Sequence, residues 1–320
     1  MPKIPVLLIT GFLGSGKTSF LGEYLSAKGD KSTALIINEL GQIALDQRVL
    51  KSSVSYADEQ MLYLNSGCVC CNKRLDLVNS LKSLLDSYDK QNQKLGRVII
   101  ETTGLANPAP ILWTLLSDVF LSAHFATQGV IACVDALNGF LHLENNEARQ
   151  QIIFADSVLL TKTDLQGDTQ ALKAEILALN PSLAVFDKAK VRYDELFSQA
   201  NKANFRAFET GNSHEQGFET LTLGFDGAVE WSAFGIWLSL LLQKHGTRIL
   251  RVKGILDIGE DFLVSINGAM HIIHPPTHIK KDKENGSKLV FITRNLPKEQ
   301  ILRSLDGFKG LLGAEFKILS

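Results

Sequence analysis

Cysteine is scarce in this chain and unevenly spread: of four residues, three fall at positions 68, 70 and 71 and the fourth at 133. Three thiols within four positions cannot staple a fold, so a disulfide-framework domain is excluded and the expected compartment is the reducing cytoplasm. Charge of one sign is also missing, with 33 Lys and Arg against 34 Asp and Glu and a net charge of −1. Such a balance creates no broad positive field, which argues against nucleic acid or an anionic membrane as partner. The basic cluster Lys280-Lys281-Asp282-Lys283 reads as a solvated loop. No apolar run approaches the ~20 residues of a membrane span. The longest candidate, Trp231 to Leu242, is interrupted by Ser232 and Gly235 and reads as an amphipathic helix. The N-terminus enters an apolar strand at once, without the charged region and cleavage site of a signal peptide. Internal repeats and low-complexity tracts are absent too. What remains is a globular chain of 320 residues, 45% hydrophobic, long enough for two cores.

Residues 11–18 read GFLGSGKT, a complete G-x-x-x-x-G-K-[ST] loop, and Val6-Leu7-Leu8-Ile9 before it supplies the strand such a loop requires. Gly11, Gly14 and Gly16 let the backbone curl so that its N–H groups, with those of Ser15 and Ser19, face phosphate at a helix N-terminus. Lys17 reaches the β/γ-phosphates and Thr18 can ligate Mg2+, so a nucleoside triphosphate is the expected ligand. The helix that follows is marked by Phe20, Leu21, Tyr24 and Leu25 at helical spacing.

Apolar runs alternate with helical patterns through the first half, which predicts an α/β fold: a P-loop domain with a mostly parallel sheet covered by helices. Strands are expected near 4–10, 33–38, 61–64, 97–101, 129–135, 157–161 and 183–187. Leu77, Leu81, Leu84 and Tyr88 share one helical face, and Leu172, Ile176 and Leu179 another. A polar stretch, 201–216, reads as a linker between a domain at 1–200 and a smaller α+β domain at 217–320. In the latter, strands are expected at 220–225, 249–258, 262–266 and 288–292, with helices near 230–244 and 297–308.

Val98-Ile99-Ile100-Glu101-Thr102-Thr103-Gly104 is a buried strand ending in a carboxylate and then a glycine. Glu101 suits the Mg2+ side or the attacking water, and the Gly104 N–H can bond a γ-phosphate and be released when it leaves, giving Lys17, Glu101 and Gly104 as the catalytic set. Thr161-Lys162-Thr163-Asp164 matches the [NT]-K-x-D base-recognition element. The Asp164 carboxylate can accept from both guanine N1–H and N2–H2, which adenine cannot offer, so GTP is favoured over ATP. Cys68, Cys70 and Cys71 can converge on one soft or borderline cation, leaving a tetrahedral ion with one open position; a redox pair or small buried residues are the alternatives. Cys133, inside Val130-Ile131-Ala132-Cys133-Val134, reads as core. His271, His274 and His278 read as a strand end and Pro-rich loop in which residues three apart face opposite sides, which disfavours a shared metal. His124, His142, His214 and His245 are scattered and read as surface or satisfied core.

Taken together, GFLGSGKT at 11–18, Asn38-Glu39-Leu40-Gly41, GCVCC at 67–71, Glu101-x-x-Gly104, TKTD at 161–164 and Leu250-Arg251-Val252-Lys253-Gly254-Ile255 resemble the CobW-type branch of the SIMIBI-class metal-homeostasis GTPases, relatives of UreG and HypB. The resemblance covers nearly the whole chain. It implies a slow GTPase that holds Zn2+ or Co2+ at Cys68, Cys70 and Cys71, orders switch residues such as Asn38 and Glu39 with the γ-phosphate, places Asp46 near Mg2+, and delivers metal to a client protein recognised by the C-terminal domain, through its sheet face. Two departures stand out: Gln42 replaces an acidic residue usual in the branch, and the frequent His-rich insertion is absent. A GTP-regulated metal sensor or store, and a dedicated activator of one metalloenzyme, such as a nitrile hydratase or a cobalamin pathway enzyme, stay open as alternatives. The physiological metal, its fourth ligand, the client and any self-association are not specified by these residues.

Overall fold

In the computed structural model, residues 2–28, 32–39, 61–65, 72–165, 168–199, 217–281 and 286–320 are described. Two compact units emerge, one of Met1–Leu172 with Ala184–Lys202, the other of Lys173–Leu183 with Ala203–Ser320.

The first unit is built on β1 (Ile4–Thr10), β2 (Thr33–Glu39), β3 (Met61–Asn65), β4 (Arg97–Glu101), β5 (Phe125–Asp135), β6 (Ser157–Thr161) and β7 (Ala184–Asp187). They form one parallel sheet in the order β3-β2-β4-β1-β5-β6-β7. Val6, Leu7, Leu8 and Ile9 are all buried, as are Val98, Ile99 and Ile100. Unbroken apolar runs of this kind belong to central parallel strands covered on both faces. The helices of this half of the chain are α1 (Lys17–Lys28), α2 (Asn72–Lys90), α3 (Ala109–Ser117), α4 (Val119–His124), α5 (Gly139–Leu143), α6 (Asn146–Phe154), α7 (Gln170–Leu179), grouped from Lys173 on with the second unit, and α8 (Tyr193–Gln199). The faces expected on α2 and α7 are buried: Leu77, Leu81, Leu84 and Tyr88 on the one, Leu172, Ile176 and Leu179 on the other.

Because β1 lies between β4 and β5, the chain runs to one side of β1 first and to the other side later. The carboxyl edge at that switch point is where an open α/β sheet leaves a crevice for ligand. Register places Ile9 beside Glu101 and Ile131, Asp135 beside Thr161, and Ile37 beside Glu101, so the ends of β1, β2, β4, β5 and β6 converge there.

The second unit is antiparallel. Its strands are β8 (Phe218–Asp226), β9 (Ile249–Asp257), β10 (Phe262–Ala269), β11 (Ile272–Ile273), β12 (Thr277–Lys280), β13 (Ser287–Arg294) and β14 (Glu315–Ile318). The order is β11-β10-β9-β13-β8-β14, with β12 paired to β10. Helices α9 (Trp231–His245), α10 (Lys298–Asp306) and the short α11 (Lys309–Leu312) contribute to its core. Phe234, Trp237, Leu238, Leu241 and Leu242 form the buried stripe of α9, and the Trp237 Nε1–H donates to Ser304 Oγ of α10 at 3.0 Å. The Glu230 carboxylate caps α9 by accepting from Ser232 N and Ala233 N, and these backbone bonds hold its pKa below the usual carboxylate value. On β9, Val252 and Leu256 enter this core, while Arg251 and Lys253 on the alternate face are each 1% exposed. Among the described residues no helix is long and apolar enough to cross a membrane. The expected linker, 201–216, lies outside the described residues.

Candidate functional site

The loop between β1 and α1 is shaped by its glycines. Gly14 and Gly16 have φ of 72° and 83°, the left-handed region that side chains disfavour. At Gly11 (φ 141°) a Cβ would lie 2.4 Å from the Cys133 carbonyl oxygen, so only glycine fits between β1 and β5. The Lys17 ammonium, 8% exposed, turns back over this loop and donates to the Gly11 carbonyl at 2.8 Å and the Phe12 carbonyl at 3.1 Å. Ser15 Oγ is buried with no hydrogen-bond partner among the described residues, a spare hydroxyl beside a backbone N–H that donates to the Phe12 carbonyl at 3.1 Å. Ser19 sits exposed in the first turn of α1. An arrangement of curled backbone, buried ammonium and helix N-terminus fits a polyphosphate.

Beside it, the Thr18 hydroxyl donates to Glu101 Oε1 at 2.8 Å. Glu101 is 5% exposed. A hydroxyl and a carboxylate joined at this distance form a hard-oxygen donor pair of the kind Mg2+ takes alongside phosphate and water, so the residues fit that ion. The segment after Glu101 is fastened by Thr102 Oγ1, which donates to Thr10 Oγ1 at 2.9 Å. Gly104 then packs on the phosphate loop so closely that a Cβ would lie 2.8 Å from the Leu13 amide nitrogen. Thr103 Oγ1 between them is a second buried hydroxyl with no partner among the described residues.

The loop at 161–164, expected to recognise the base, is braced onto the phosphate loop. Thr161 Oγ1 donates to the Ser15 carbonyl at 2.8 Å and to the Val134 carbonyl at 3.2 Å. Lys162, at φ 55°, donates to the Gly14 carbonyl at 3.0 Å and pairs with Asp135 Oδ2 at 2.6 Å. Burial alone would raise the Asp135 pKa, but bonds from Lys162, Asn138 and the backbone outweigh it and hold the carboxyl below the usual range. Thr163 Oγ1 donates to Asp187 Oδ1 at 2.5 Å, fixing β7 to this loop, and Asp164 remains exposed. A Thr161→Val substitution keeps the shape and removes the donor. It should cost about 1–3 kcal/mol by leaving buried carbonyls unpaired, read as a lower urea midpoint at unchanged slope.

Sequence reasoning missed several members of this site. Asp135 sits 27 residues from its partner Lys162 and reads in sequence as a mere strand end. His142 packs against Phe12 of the phosphate loop with ring centroids 5.0 Å apart and planes tilted by 50°, and burial lowers its pKa despite the opposing pull of Asp135. Gln151 on α6 donates to the carbonyls of Gly104 and Ala106. Nothing local in the sequence distinguishes these side chains. Cys133 is core as expected, and burial pushes its thiol up to about 12.

Asn38 and Glu39 occupy the carboxyl end of β2, paired in register with Leu64 and Asn65. Asp46, Cys68, Cys70 and Cys71 lie outside the described residues, and among those described no group of three His, Cys, Asp or Glu is placed to hold a metal. His271, His274 and His278 fall on a turn, a strand end and β12, and His278 stacks on Phe262 at 4.0 Å.

A parallel sheet whose carboxyl edge carries this phosphate loop, a braced [NT]-K-x-D loop and the Thr18–Glu101 pair defines a P-loop GTPase. The chain matches the family described as CobW/HypB/UreG, nucleotide-binding domain, over residues 5–187, and the cobalamin synthesis protein cobW C-terminal domain over residues 218–309. It belongs to the CobW/HypB/UreG family. It is 30% identical to the zinc chaperone YjiA of Escherichia coli K12 over 97% of this chain and 100% of that protein. The zinc chaperone CobW of Sinorhizobium sp is 27% identical over 80% of this chain and 82% of its own length. The crystal structure of Zn(II)-bound YjiA GTPase from E. coli superposes with a TM-score of 0.74 at 25% identity, covering 96% of this chain and 99% of that one. A Zn(II)-bound triple mutant of YjiA, in which one glutamate and two cysteines are replaced by alanine, gives a TM-score of 0.72 at 26% identity and covers 96% and 99%.

Proposed function

We propose that this GTPase is a GTP-gated zinc chaperone, in which residues 1–200 hydrolyse the nucleotide and hold the ion at Cys68, Cys70 and Cys71, and residues 217–320, past a linker at 201–216, meet a client metalloprotein. The observation that carries the reading is the Thr18–Glu101 bond of 2.8 Å beside a Gly104 wedged on the phosphate loop, in a chain similar to a zinc chaperone from end to end.

In this reading the Lys17 ammonium moves from its two loop carbonyls to the β/γ-phosphate oxygens. The backbone N–H groups of 14–19 hold the remaining phosphate oxygens. Thr18 and Glu101 would hold Mg2+, with Asp46 as a further oxygen donor, and the ion would supply neutralisation of the charge that develops on the phosphoryl oxygens. Glu101 also orients the water that attacks the γ-phosphorus, and GDP leaves in line. The Gly104 N–H bonds the γ-phosphate before cleavage and loses that partner afterwards. Asp164 accepts from the guanine edge while the Lys162 stem covers the ring.

The order of the strands supports this coupling. The described chain ends at Asn65 and resumes at Asn72, so the cysteines fall in the connection leaving β3 at the same sheet edge as Glu101. Asn65 pairs with Glu39, and Ile37 with Glu101, so the start of that connection is two strand spacings across and two residues along from Glu101, roughly 12 Å. The switch ends at Asn38 and Glu39 lie between. Thiolates suit Zn2+ and Co2+ alike, so cobalt is a second cargo by chemistry.

The test is competition for Zn2+ and Co2+ against a chromophoric chelator with no nucleotide, with GDP·Mg2+ and with a non-hydrolysable GTP analogue·Mg2+. Affinity should rise about tenfold with the analogue, ~1.4 kcal/mol of coupling, and the gain should vanish in Cys68→Ala/Cys70→Ala/Cys71→Ala. The YjiA triple mutant binds Zn(II) although two cysteines are replaced. Nucleotide dependence, not occupancy, is therefore the deciding readout. Equal affinity in every nucleotide state overturns the gating and leaves a constitutive metal store.

A further inference from the structure

The loop after Glu101 is gripped from behind by one helix. Gln151, on α6 and 1% exposed, donates through Nε2 to the Gly104 carbonyl at 3.1 Å and to the Ala106 carbonyl at 3.0 Å. Its neighbour Gln150 accepts from Asn107 Nδ2 at 2.8 Å, and Asn107 Oδ1 in turn accepts from Ala109 N at the start of α3. Residues 104–107 are thus tied to α6 at three points, while Gly104 presses on Leu13 from the other side.

The chemistry of the amide is informative. Both N–H bonds of Gln151 go to this one loop, and its Oε1 is buried with no hydrogen-bond partner among the described residues. Flipping the amide would set Oε1 against two carbonyl oxygens, so the two carbonyls alone fix its orientation. A buried, half-satisfied amide is a poor packing element and costs stability relative to an apolar side chain of similar shape. Gly104 is moreover the residue most able to wander, having no Cβ, and fixing its carbonyl restrains the peptide that follows.

We infer that Gln151 is the positioning residue of the γ-phosphate sensor: it holds the Gly104–Ala106 loop in the conformation that meets a triphosphate, and thereby sets how strongly the protein distinguishes GTP from GDP. The inference rests on the reading of Gly104 as the group that bonds the γ-phosphate. GDP does not call on that bond, so its affinity is independent of Gln151. GTP binding and phosphoryl transfer depend on a loop already in place.

The experiment uses the full chain and fluorescent GDP and non-hydrolysable GTP analogue, each with Mg2+, plus single-turnover hydrolysis. Gln151→Met keeps the volume and removes both donors. Analogue affinity should fall about tenfold, as expected for two lost hydrogen bonds, with a matching fall in the single-turnover rate and unchanged GDP affinity. Gln151→Glu is near-isosteric but ionised; its rate should be low at about pH 8 and recover toward about pH 6, as the buried carboxyl takes up a proton and can donate to one carbonyl. This recovery, relative to the unaltered protein at each pH, keeps the inference testable if Gln151→Met fails to fold. Unchanged GTP/GDP discrimination in Gln151→Met, an equal loss of GDP affinity, or a Gln151→Glu rate that does not recover overturns it. The unaltered protein separates the two levels. If it discriminates analogue from GDP and Gln151→Met discriminates equally, only the positioning role falls; if the unaltered protein binds analogue and GDP with equal affinity, the reading of Gly104 as the γ-phosphate sensor itself falls.

Discussion

Lys17→Ala should lower kcat/KM for GTP by ~10³-fold, in line with the loss of a preorganised donor to a developing oxyanion. The side chain is 8% exposed and already aligned over the phosphate loop by bonds to the Gly11 and Phe12 carbonyls, so little reorganisation is needed to bring its charge onto phosphate. A charged phosphate oxygen binds an ammonium more strongly than a neutral carbonyl does, which favours the exchange. Alanine leaves the loop backbone, the helix N-terminus and the Thr18–Glu101 pair in place. GDP affinity should therefore fall less than the hydrolytic rate. Steady-state hydrolysis and nucleotide titration of the folded variant check both halves. A rate within a few-fold of the unaltered protein would remove Lys17 from the catalytic set.

Asp164→Asn should change which base is taken. Replacing one carboxylate oxygen by NH2 sets a donor against a guanine N–H and leaves buried polar groups mismatched. Sites that read a base edge by hydrogen bonding discriminate by as much as ~10⁴-fold, so a loss of GTP affinity of roughly 10²–10³-fold is expected. Xanthine, which carries a carbonyl oxygen where guanine carries its amino group, should regain affinity in the variant. The fold should be indifferent, because Asp164 is exposed and the brace of the loop runs through Thr161, Lys162 and Thr163. Paired titrations with GTP and XTP give the answer. Equal losses for both nucleotides would mean that Asp164 does not contact the base.

The central strands were legible because burial on both faces demands unbroken apolar runs. β4 at 97–101 and β6 at 157–161 have the bounds their sequences predict. β5 starts four residues earlier than expected, at Phe125, since Thr127, Gln128 and Gly129 interrupt the apolar pattern and the pairing with β1 shifts register between Val6 and Leu7. β14 was missed because Glu315–Ile318 is a mostly exposed edge strand held by one neighbour, and β11 and β12 are short edge segments of the same sort. The site divides along similar lines. Residues that act through the backbone of a contiguous motif, such as Gly11 to Thr18 and Thr161 to Asp164, carry their chemistry in their spacing. Asp135, His142 and Gln151 act across 27 or more residues, through contacts that exist only once β5, α5 and α6 are packed, and no local pattern announces them.

The burial of Cys133 divides the thiol chemistry of the chain in two. A sulfur 1% exposed, with its proton held to about 12, yields almost no thiolate at neutral pH and presents almost no surface to a reagent. Alkylating probes applied to the native protein should therefore leave Cys133 unmodified, so adducts counted by mass report on Cys68, Cys70 and Cys71 alone, with Cys133 serving as a built-in marker of unfolding.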